Sequence, residues 1–258
     1  MQAASFDNYA THYDEHFTFS PVGLLQREAV YSYLIPILKK QQSVLEINCG
    51  TGHDAIEIAK KVKDVVATDV SEKMIQQCEA KKNGVNNVSF KARSIQDLDE
   101  EIKNVDFIFS NFGGLNCLSP QELSEFSIKC NALNKQTDLF FVIMGRKCIW
   151  ERFYFKIKGD RTKANRRKSN EGVSTTINES EFKTWYYSPK EMERLFNTFK
   201  AQRISGIGLF VPPSYLNSFF ANKKVLLKVV SFLDKVFCKF KWAADYADHY
   251  LIHLKKDN

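Results

Sequence analysis

The chain has 258 residues, 44% hydrophobic and 13% aromatic, which is long enough and apolar enough to bury a sizeable core. No apolar stretch reaches the length that a membrane-spanning helix needs, and Met1 to Tyr13 lacks the apolar run of a secretory signal. Six cysteines without short paired spacings argue against a disulfide framework and a metal site, and they favour a reduced, cytoplasmic compartment.

The net charge of +7 is concentrated in one segment. Between Arg146 and Lys168 the chain has ten lysines or arginines and two acids, Glu151 and Asp160, so this segment sums to +8 and the remainder to about −1. A solvated, mobile cap fits this composition. A docking surface for an acidic carrier protein, an anionic surface or a phosphorylated substrate fits it as well.

The first 145 residues alternate between helical and strand patterns. Residues 18–40 have helical periodicity, with Ser20 as the N-cap and Pro21 at the first helical position. Strands are predicted at 44–48, 64–69, 87–91, 105–110 and 137–144, and helices at 53–63, 71–83, 97–102 and 119–134. This alternation is typical of an α/β protein with a parallel sheet covered by helices.

The alternation breaks at Gly145. Strand-type runs at 173–177 and 182–187 flank a predicted hairpin loop at 178–181, which indicates a cap inserted after the fifth strand. The next predicted elements are a helix from Ser188 to about Phe199, a strand at 201–208, a long amphipathic helix at about 214–240 and a last strand at 245–255. We favour a lid that packs on its own domain for the amphipathic helix, with a membrane-surface helix as the alternative.

The most informative segment follows the first predicted strand. Leu45-Glu46-Ile47 leads into Asn48-Cys49-Gly50-Thr51-Gly52, a tight turn in which glycine lets the backbone approach a ligand. The second strand ends in Asp69, where a nucleotide-binding sheet places the carboxylate that accepts hydrogen bonds from ribose hydroxyls. Gly50-x-Gly52-x-x-Ala55 also fits the dinucleotide fingerprint, but the Glu46 carboxylate would repel a pyrophosphate.

This turn resembles the first motif of class I S-adenosylmethionine (SAM)-dependent methyltransferases, with Asn48 where the family often has a glycine. Asp69-Val70-Ser71 with Met74 resembles the second motif, and Val105 to Gly114 resembles the fourth strand and its loop. Phe6 to Asp14 resembles the segment that closes over SAM in small-molecule methyltransferases. The resemblance implies a Rossmann-like, mostly parallel sheet of seven strands with an antiparallel last hairpin. Cap insertions are expected after strand 5 and between strands 6 and 7.

The resemblance also implies SAM as the cofactor and a set of residues that bind it. These are Tyr13, Glu46, Asn48, Gly50, Gly52, Asp69, Val70, Met74, Ser94, Ile95, Asn111 and Phe112. Family members often use an acid for the adenine amino group where this chain has Ser94. The expected organisation is one methyltransferase domain, 1–258, with an N-terminal helical lid segment (1–43), a SAM-binding core (44–145), a basic cap (146–187) and a C-terminal part (188–258).

A looser resemblance links the chain to bacterial methyltransferases encoded with aryl-polyene and other secondary-metabolite pathways. It is carried by Tyr13 to Gly23, Pro212 to Tyr215 and Ala247 to Tyr250. It implies a small aromatic, phenolic or acyl-chain acceptor, either free or held on a carrier protein. We expect Tyr9 to Phe19, the cap around Tyr186 and the segment from Pro212 onward to roof the acceptor pocket.

Methyl transfer to a weakly acidic acceptor needs a base. We predict His249 in this role with Asp248 as its orienting carboxylate, and His12 as a second candidate, although surface loop histidines explain His12 equally well. The basic run Arg161 to Lys168 suggests an RNA methyltransferase as an alternative. Asn111 to Gly114 lacks the Asn/Asp-Pro-Pro-Tyr loop of amino-group nucleic-acid methylases, which argues against nucleic acid as a partner. A non-catalytic SAM-binding or membrane-surface protein is the remaining alternative.

Overall fold

A computed structural model describes residues 7, 10, 13–133, 136–177, 180–220 and 222–257. The strands are β1 Ser43–Ile47, β2 Asp64–Asp69, β3 Val88–Ala92, β4 Phe107–Ser110, β5 Asp138–Met144, β6 Val173–Ile177, β7 Ser180–Thr184, β8 Phe199–Ile207 and β9 His249–Lys256. The helices are α1 Pro21–Leu34, α2 His53–Ala59, α3 Glu72–Lys81, α4 Asp99–Lys103, α5 Pro120–Asn131, α6 Ile149–Ile157, α7 Arg161–Asn165, α8 Pro189–Leu195, α9 Asn217–Phe220 and α10 Lys224–Phe237.

Seven strands form the central sheet in the order β3-β2-β1-β4-β5-β9-β8. Strands β1 to β5 pair in parallel, whereas β9 is antiparallel to both β5 and β8. Strands β6 and β7 form a separate antiparallel hairpin. The predicted Rossmann-like fold class, its antiparallel last hairpin and the two insertion points are confirmed.

Helices cover both faces of the sheet, and the central strands are correspondingly apolar on both sides. Successive residues of β5 show this, because Phe140 and Phe141 belong to different core clusters on opposite faces. On one face Phe141 packs with Phe126 of α5, and on the other Phe140 clusters with Ile58 of α2. The sheet is therefore a rigid platform whose carboxyl edge carries the loops after β1, β2, β3 and β4.

Helix starts follow the sequence signals closely. The Ser20 hydroxyl accepts a hydrogen bond from the Gly23 N–H (3.0 Å), with Pro21 at the first helical position. The Ser71 hydroxyl likewise accepts from the Met74 N–H (3.1 Å) at the start of α3. These caps satisfy backbone donors that have no partner within the helix.

The structure differs from the sequence predictions in several places. Pairing of Ile177 with Ser180 starts β7 earlier than expected, so the hairpin is tighter than a loop over 178–181; residues 178 and 179 lie outside the described part. The long helix predicted at 214–240 is divided, since Lys223 adopts a non-helical φ of −103° and ψ of 57° between α9 and α10. The basic stretch contains α6 and α7, which the sequence did not indicate. No helix in the described ranges is long and apolar enough to cross a membrane.

The turn after β1 has three residues in the left-handed region of the backbone. Asn48 has φ 57°, Gly50 has φ 54° and Gly52 has φ 76°. Asparagine tolerates this conformation better than most residues, which explains why it replaces a glycine here. At Gly52 the packing is also tight, because a Cβ would lie 2.8 Å from Cys78 Sγ and 2.9 Å from the Phe90 ring.

Gly52→Ala should destabilise the fold more than Gly84→Ala does. Both glycines have similar positive φ, 76° and 79°, but a Cβ at Gly84 meets nothing within 4 Å. The left-handed conformation costs alanine about 1–2 kcal/mol at either site, and overpacking adds about 1–3 kcal/mol at Gly52 alone. The free energy of unfolding from urea titrations measures both changes. Equal losses in the two variants would show that Cys78 and Phe90 do not constrain the turn.

Candidate active site

A cavity of about 510 Å³ opens at the carboxyl edge of the sheet, where the strand order reverses between β1 and β4. Ten of the twelve residues predicted to bind the cofactor line it: Tyr13, Asn48, Gly50, Asp69, Val70, Met74, Ser94, Ile95, Asn111 and Phe112. They come from four different loops and from the segment before α1, so the fold gathers residues that are distant in sequence. We call this space the first cavity.

Asp69 joins the glycine turn to the second strand. Its Oδ2 accepts a hydrogen bond from the Gly50 N–H (2.9 Å), and its Oδ1 accepts one from the Ser71 N–H (3.0 Å). Burial raises the pKa of Asp69 to about 6, against the opposing effect of these backbone donors. The carboxylate thus lies at the wall of the first cavity with lone pairs left for further donors.

Tyr13 lies over the glycine turn. Next to it, Asp14 accepts a hydrogen bond from the Thr51 hydroxyl (2.6 Å) and forms an ion pair with Lys81. A Cβ added to Gly50 would meet only the Tyr13 ring, at 3.8 Å, so the space above the turn is open to a ligand. The Asn48 Oδ1 beside it is buried without a hydrogen-bond partner. An open backbone turn, an available acceptor and a ring above them fit an adenosyl cofactor.

Glu46 and Gly52, the other two predicted residues, do not line the first cavity. Glu46 is buried beneath the turn, where desolvation, and after it the nearby Asp54 charge, raises the pKa of its carboxyl well above the usual range. Its Oε2 has no hydrogen-bond partner. Gly52 is packed against Cys78 and Phe90, so its function is to let the turn close.

At the other end of the first cavity, Ser94 and Ile95 follow β3 as the sequence predicts. The Ser94 hydroxyl donates to Asp97 Oδ2 (2.9 Å) and retains its acceptor lone pairs, while Ile95 is buried and gives an apolar wall. Gln96 Nε2 donates to Glu122 Oε1 (3.2 Å) at the same wall. This end combines an apolar surface with several polar groups, as an adenine site requires.

A second cavity of about 510 Å³ adjoins the first. The two share Tyr13, Phe112, Gly113 and Cys117 as walls. The second cavity is also lined by Phe17, Met144, Arg166, Arg167, Phe182, Thr184, Tyr186, Pro213, Ser214, Tyr215, Asp248 and His249. All three segments that the sequence predicts as a roof, before α1, in the cap and after Pro212, contribute to it.

Asp248 and His249 lie at the start of β9, where His249 pairs with Met144 at the carboxyl end of β5. His249 Nδ1 is 3.2 Å from Asp248 Oδ2, a distance that suits an ion pair, although Nδ1 lacks a well-aligned hydrogen bond. The Phe112 ring meets the imidazole edge-on at 5.6 Å. The structure thus brings the predicted pair to the second cavity, whereas His12 lies outside the described residues.

Arg167 places the cap against β9. Its Nη2 lies 2.6 Å from Asp248 Oδ1 and 3.1 Å from Glu151 Oε2, and its Nη1 donates to the Asp248 carbonyl oxygen (2.8 Å). Burial opposes ionisation of Asp248, but its interactions with His249 and with the Arg167 guanidinium outweigh that effect and hold the pKa of the carboxyl well below its usual range. Asp248 is therefore ionised at neutral pH.

Ion pairs reduce the number of basic side chains that this segment presents to solvent. Arg166 forms a bidentate pair with Glu151 (2.9 and 2.8 Å), and Arg146 does so with Glu191. With Arg167 buried as well, three of the ten basic residues hold the cap in place. The surface charge of the segment is lower than its composition suggests.

A second buried ion pair supports the loop after β4. Arg27 Nε contacts Asp54 Oδ1 (2.9 Å), and Asn111 Nδ2 donates to Asp54 Oδ2 (2.9 Å). The Asn111 side chain in turn accepts from the Phe112 N–H (3.0 Å), and the Arg27 guanidinium lies 5.1 Å from the Phe112 ring centroid. Phe112 has φ 43°, unusual for a bulky residue, and these contacts fix it between the two cavities.

Several residues of the first cavity were missed by the sequence analysis. Arg93, Gln96, Gly113, Gly114, Cys117, Leu118, Glu122 and Trp185 line it in addition to the predicted set. Arg93 and Gln96 flank the predicted Ser94-Ile95 pair and could have been found from that position. Trp185 could not, because it is held by contacts distant in sequence: its backbone N–H donates to the Asn116 carbonyl oxygen (2.8 Å).

Comparison with known proteins identifies the domain that carries the first cavity. A family model described as a methyltransferase domain matches residues 44–136. Residues 44–136 are a class I SAM-dependent methyltransferase domain. SAM is accordingly the cofactor of this domain.

Solved structures have the same fold across the chain. DhpI in complex with S-adenosylhomocysteine (SAH) has a TM-score of 0.63 at 16% identity, covering 100% of this chain and 95% of DhpI. The magnesium protoporphyrin IX methyltransferase ChlM of Synechocystis PCC 6803, with bound SAH, has a TM-score of 0.55 at 15% identity, covering 92% of this chain and 84% of ChlM. At these identities the comparison shows that the methyltransferase domain and its extensions share a fold with both proteins.

A curated relative matches a shorter segment. A tRNA/tmRNA (uracil-C(5))-methyltransferase of Campylobacter lari is 30% identical over 82 residues, which is 30% of this chain and 23% of that enzyme. The chain therefore covers less than a quarter of this relative's length.

Asp69→Ala should weaken binding of SAH about tenfold to a hundredfold, because a hydrogen bond to a charged group contributes about 1.5–3 kcal/mol. Wild-type affinity should also fall as the pH drops through about 6, where the carboxylate takes up a proton and loses acceptor strength. The Asp69→Asn variant should bind SAH weakly, with an affinity that is nearly independent of pH. Calorimetric titration measures all three.

Asp64→Ala is the matched control, since Asp64 begins the same strand at the opposite, amino end and pairs only with the exposed Lys63 in the described structure. Its SAH affinity should equal that of the wild type. Unchanged affinity in Asp69→Ala would contradict the assignment of this carboxylate to the cofactor.

Proposed function

We propose that the protein transfers a methyl group from SAM to a small-molecule acceptor held in the second cavity. The observation that carries this proposal is the shared wall of the two cavities at Tyr13, Phe112, Gly113 and Cys117. Methyl transfer requires donor and acceptor in line and in contact, so adjoining sites of this kind suit the reaction. A volume of about 510 Å³ is of the size that small-molecule ligands occupy.

Different residues of the first cavity would bind the ribose, adenine and methionine parts of the cofactor. Asp69 would accept the ribose hydroxyls, and Ser94, Ile95 and Gln96 would enclose the adenine. The turn at Asn48 to Gly50 would lie along the methionine part, under the Tyr13 ring. When bound, SAM supplies a methyl group on a sulfonium, a leaving group that needs little activation.

The acceptor side suits an aromatic, phenolic or acyl-chain molecule. Phe17, Tyr186 and Tyr215 give the second cavity flat apolar surfaces. The Arg167 guanidinium lies 5.1 Å from the centroid of the Tyr186 ring and is neutralised by Asp248 and Glu151. These walls would exclude water from the acceptor, which protects the methyl donor from hydrolysis.

His249 is the candidate base for an acceptor hydroxyl. Its Nδ1 is buried 3.2 Å from the ionised Asp248, which favours a proton on Nδ1 and leaves the Nε2 lone pair to take the acceptor proton. The Asp248 charge then stabilises the imidazolium. Because Asp248 also binds Arg167, its position is fixed by the cap rather than by His249 alone.

An acyl-chain acceptor held on an acidic carrier protein is the more specific form of this proposal. The cap leaves Lys156, Lys158, Arg161, Lys163 and Lys168 exposed, and they lie in the segment that also lines the second cavity through Arg166 and Arg167. No disulfide joins any of the six cysteines, all of which lie in the described ranges, and this supports a cytoplasmic location for the reaction.

RNA is the second candidate acceptor, and the Campylobacter lari relative is the observation that favours it. A uracil base would have to leave its strand and enter the second cavity. The roof formed by three separate segments is better suited to enclosing a whole small molecule than to admitting one base of a polymer.

An acceptor screen that measures SAH release separates these functions. Simple phenols, aromatic carboxylic acids, acyl thioesters and carrier-bound acyl chains should include a substrate that is methylated with turnover, whereas unmodified tRNA should not. Methylation of tRNA alone would refute a small-molecule acceptor. SAH binding without turnover on either group would favour the non-catalytic SAM-binding protein.

His249→Gln should lower kcat about a hundredfold or more on a hydroxyl acceptor and leave SAH affinity unchanged, because the base acts only on the acceptor. His253→Gln is the control, since His253 lies on the same strand but contacts Asp138 (3.2 Å), far from the second cavity. Steady-state kinetics and SAH titration on both variants check this. Full activity in His249→Gln would mean that positioning alone drives the transfer.

A further inference from the structure

Helix α10 buries one face and exposes another that is also apolar. Val225, Val229 and Phe232, at spacings of four and three residues, are 78%, 51% and 65% exposed. Side chains at these spacings form one stripe along the helix. A solvent-exposed apolar stripe of this length is unusual on a monomeric protein and indicates a site of contact with another protein or with a membrane.

The orientation of α10 is fixed by its inner face. Leu227 and Val230 pack in a cluster with Val22 and Phe220. Asp234 turns inward and accepts hydrogen bonds from the Phe210 N–H (2.6 Å) and the Val211 N–H (3.3 Å). The helix is therefore packed on its own protein as a lid, and the outer stripe is the apolar face that this packing leaves exposed.

A row of lysines borders the stripe. Lys224, Lys228 and Lys235 are exposed at spacings of four and seven residues, which places them beside Val225 and Phe232. The acid of this helix, Asp234, is buried, so within α10 no carboxylate offsets the row at the surface. Among the described contacts, Lys235 reaches Glu28 at 3.2 Å, an exposed pair of small energetic weight.

Neighbouring elements extend the apolar surface. Helix α6 packs beside α9 through an edge-on contact of Trp150 with Phe220 (5.8 Å). It exposes Phe153 and Ile157, and α9 exposes Phe219. Basic residues follow these positions too, for example Lys156 on α6 and Lys158 directly after it.

We propose that the outer face of α10, with the adjoining residues of α6 and α9, binds the surface of an anionic lipid bilayer. The apolar stripe would enter the boundary between headgroups and acyl chains, and the lysine row would contact lipid phosphates. A second copy of this chain fits less well, because a two-fold interface would bring the two lysine rows against each other. The proposal concerns binding alone and does not depend on the acceptor.

The face lies next to the second cavity. Pro213 to Tyr215 line that cavity and directly precede α9, and the Tyr215 ring contacts Tyr154 and Phe155 of α6. A bilayer under α9 and α10 would therefore be close to the wall of the acceptor site.

Co-sedimentation of the full-length protein with vesicles tests the proposal. Vesicles of phosphatidylcholine with phosphatidylglycerol should bind the protein, pure phosphatidylcholine vesicles should bind it much less, and added salt should release it. Val229→Ser with Phe232→Ser should lower the partition coefficient about tenfold or more. Lys224→Glu with Lys228→Glu should lower it by a similar factor on the anionic vesicles.

Ile128→Ser is the matched control, because Ile128 is 63% exposed on α5 and lies outside this face. It should leave vesicle binding unchanged, and SAH affinity should be the same in every variant, which confirms that each one folds. Absence of binding to anionic vesicles would overturn the proposal, as would equal binding by the Val229/Phe232 variant. A dimer in gel filtration that Phe232→Ser dissociates, without vesicle binding, would assign the face to a second copy instead.

Discussion

The acceptor side of the molecule depends on one buried cation. Arg167 comes from the cap that follows β5, and it binds Asp248, which directly precedes β9. Removing one partner of a buried ion pair costs about 3–5 kcal/mol, since the other charge is left without compensation. The Tyr186 ring lies against the same guanidinium and Glu151 accepts from it, so this one side chain joins several parts of the cap to the start of β9. Arg167 and Asp248 both line the second cavity, so this ion pair shapes the acceptor side directly.

The two sides of the active site could be predicted from the sequence to different extents. The cofactor side follows from local rules: a turn that needs left-handed residues at Asn48 and Gly50, and an acid at the end of the next strand. Each rule acts within a few residues or between adjacent parallel strands. The acceptor side rests on pairs such as Arg167 with Asp248, which are 81 positions apart. No periodicity or propensity encodes such a pair, and the charge count even suggested a solvent-exposed patch.

The two predicted residues that do not line the first cavity show a further limit. A motif gives the residue type at a position but not which face of the strand it occupies. Glu46 has the residue type expected for the ammonium of the cofactor, yet its carboxyl is buried with a raised pKa. Gly52 is needed, but for packing against Cys78 and Phe90. Conversely, Trp185 lines the first cavity because of the cap's tertiary position, which the sequence does not specify.

The strand order has a consequence for how the chain folds. Strand β9 lies between β5 and β8, so β8, though earlier in the chain, has no neighbour in the sheet until β9 has formed. Strands β1 to β5 pair with one another at shorter sequence separations than β5 does with β9, which favours their earlier formation. We therefore expect the sheet that carries the cofactor site to form before the walls of the acceptor cavity. An intermediate at that stage would already carry the glycine turn and Asp69, and it would bind the cofactor without yet being able to enclose anything to methylate.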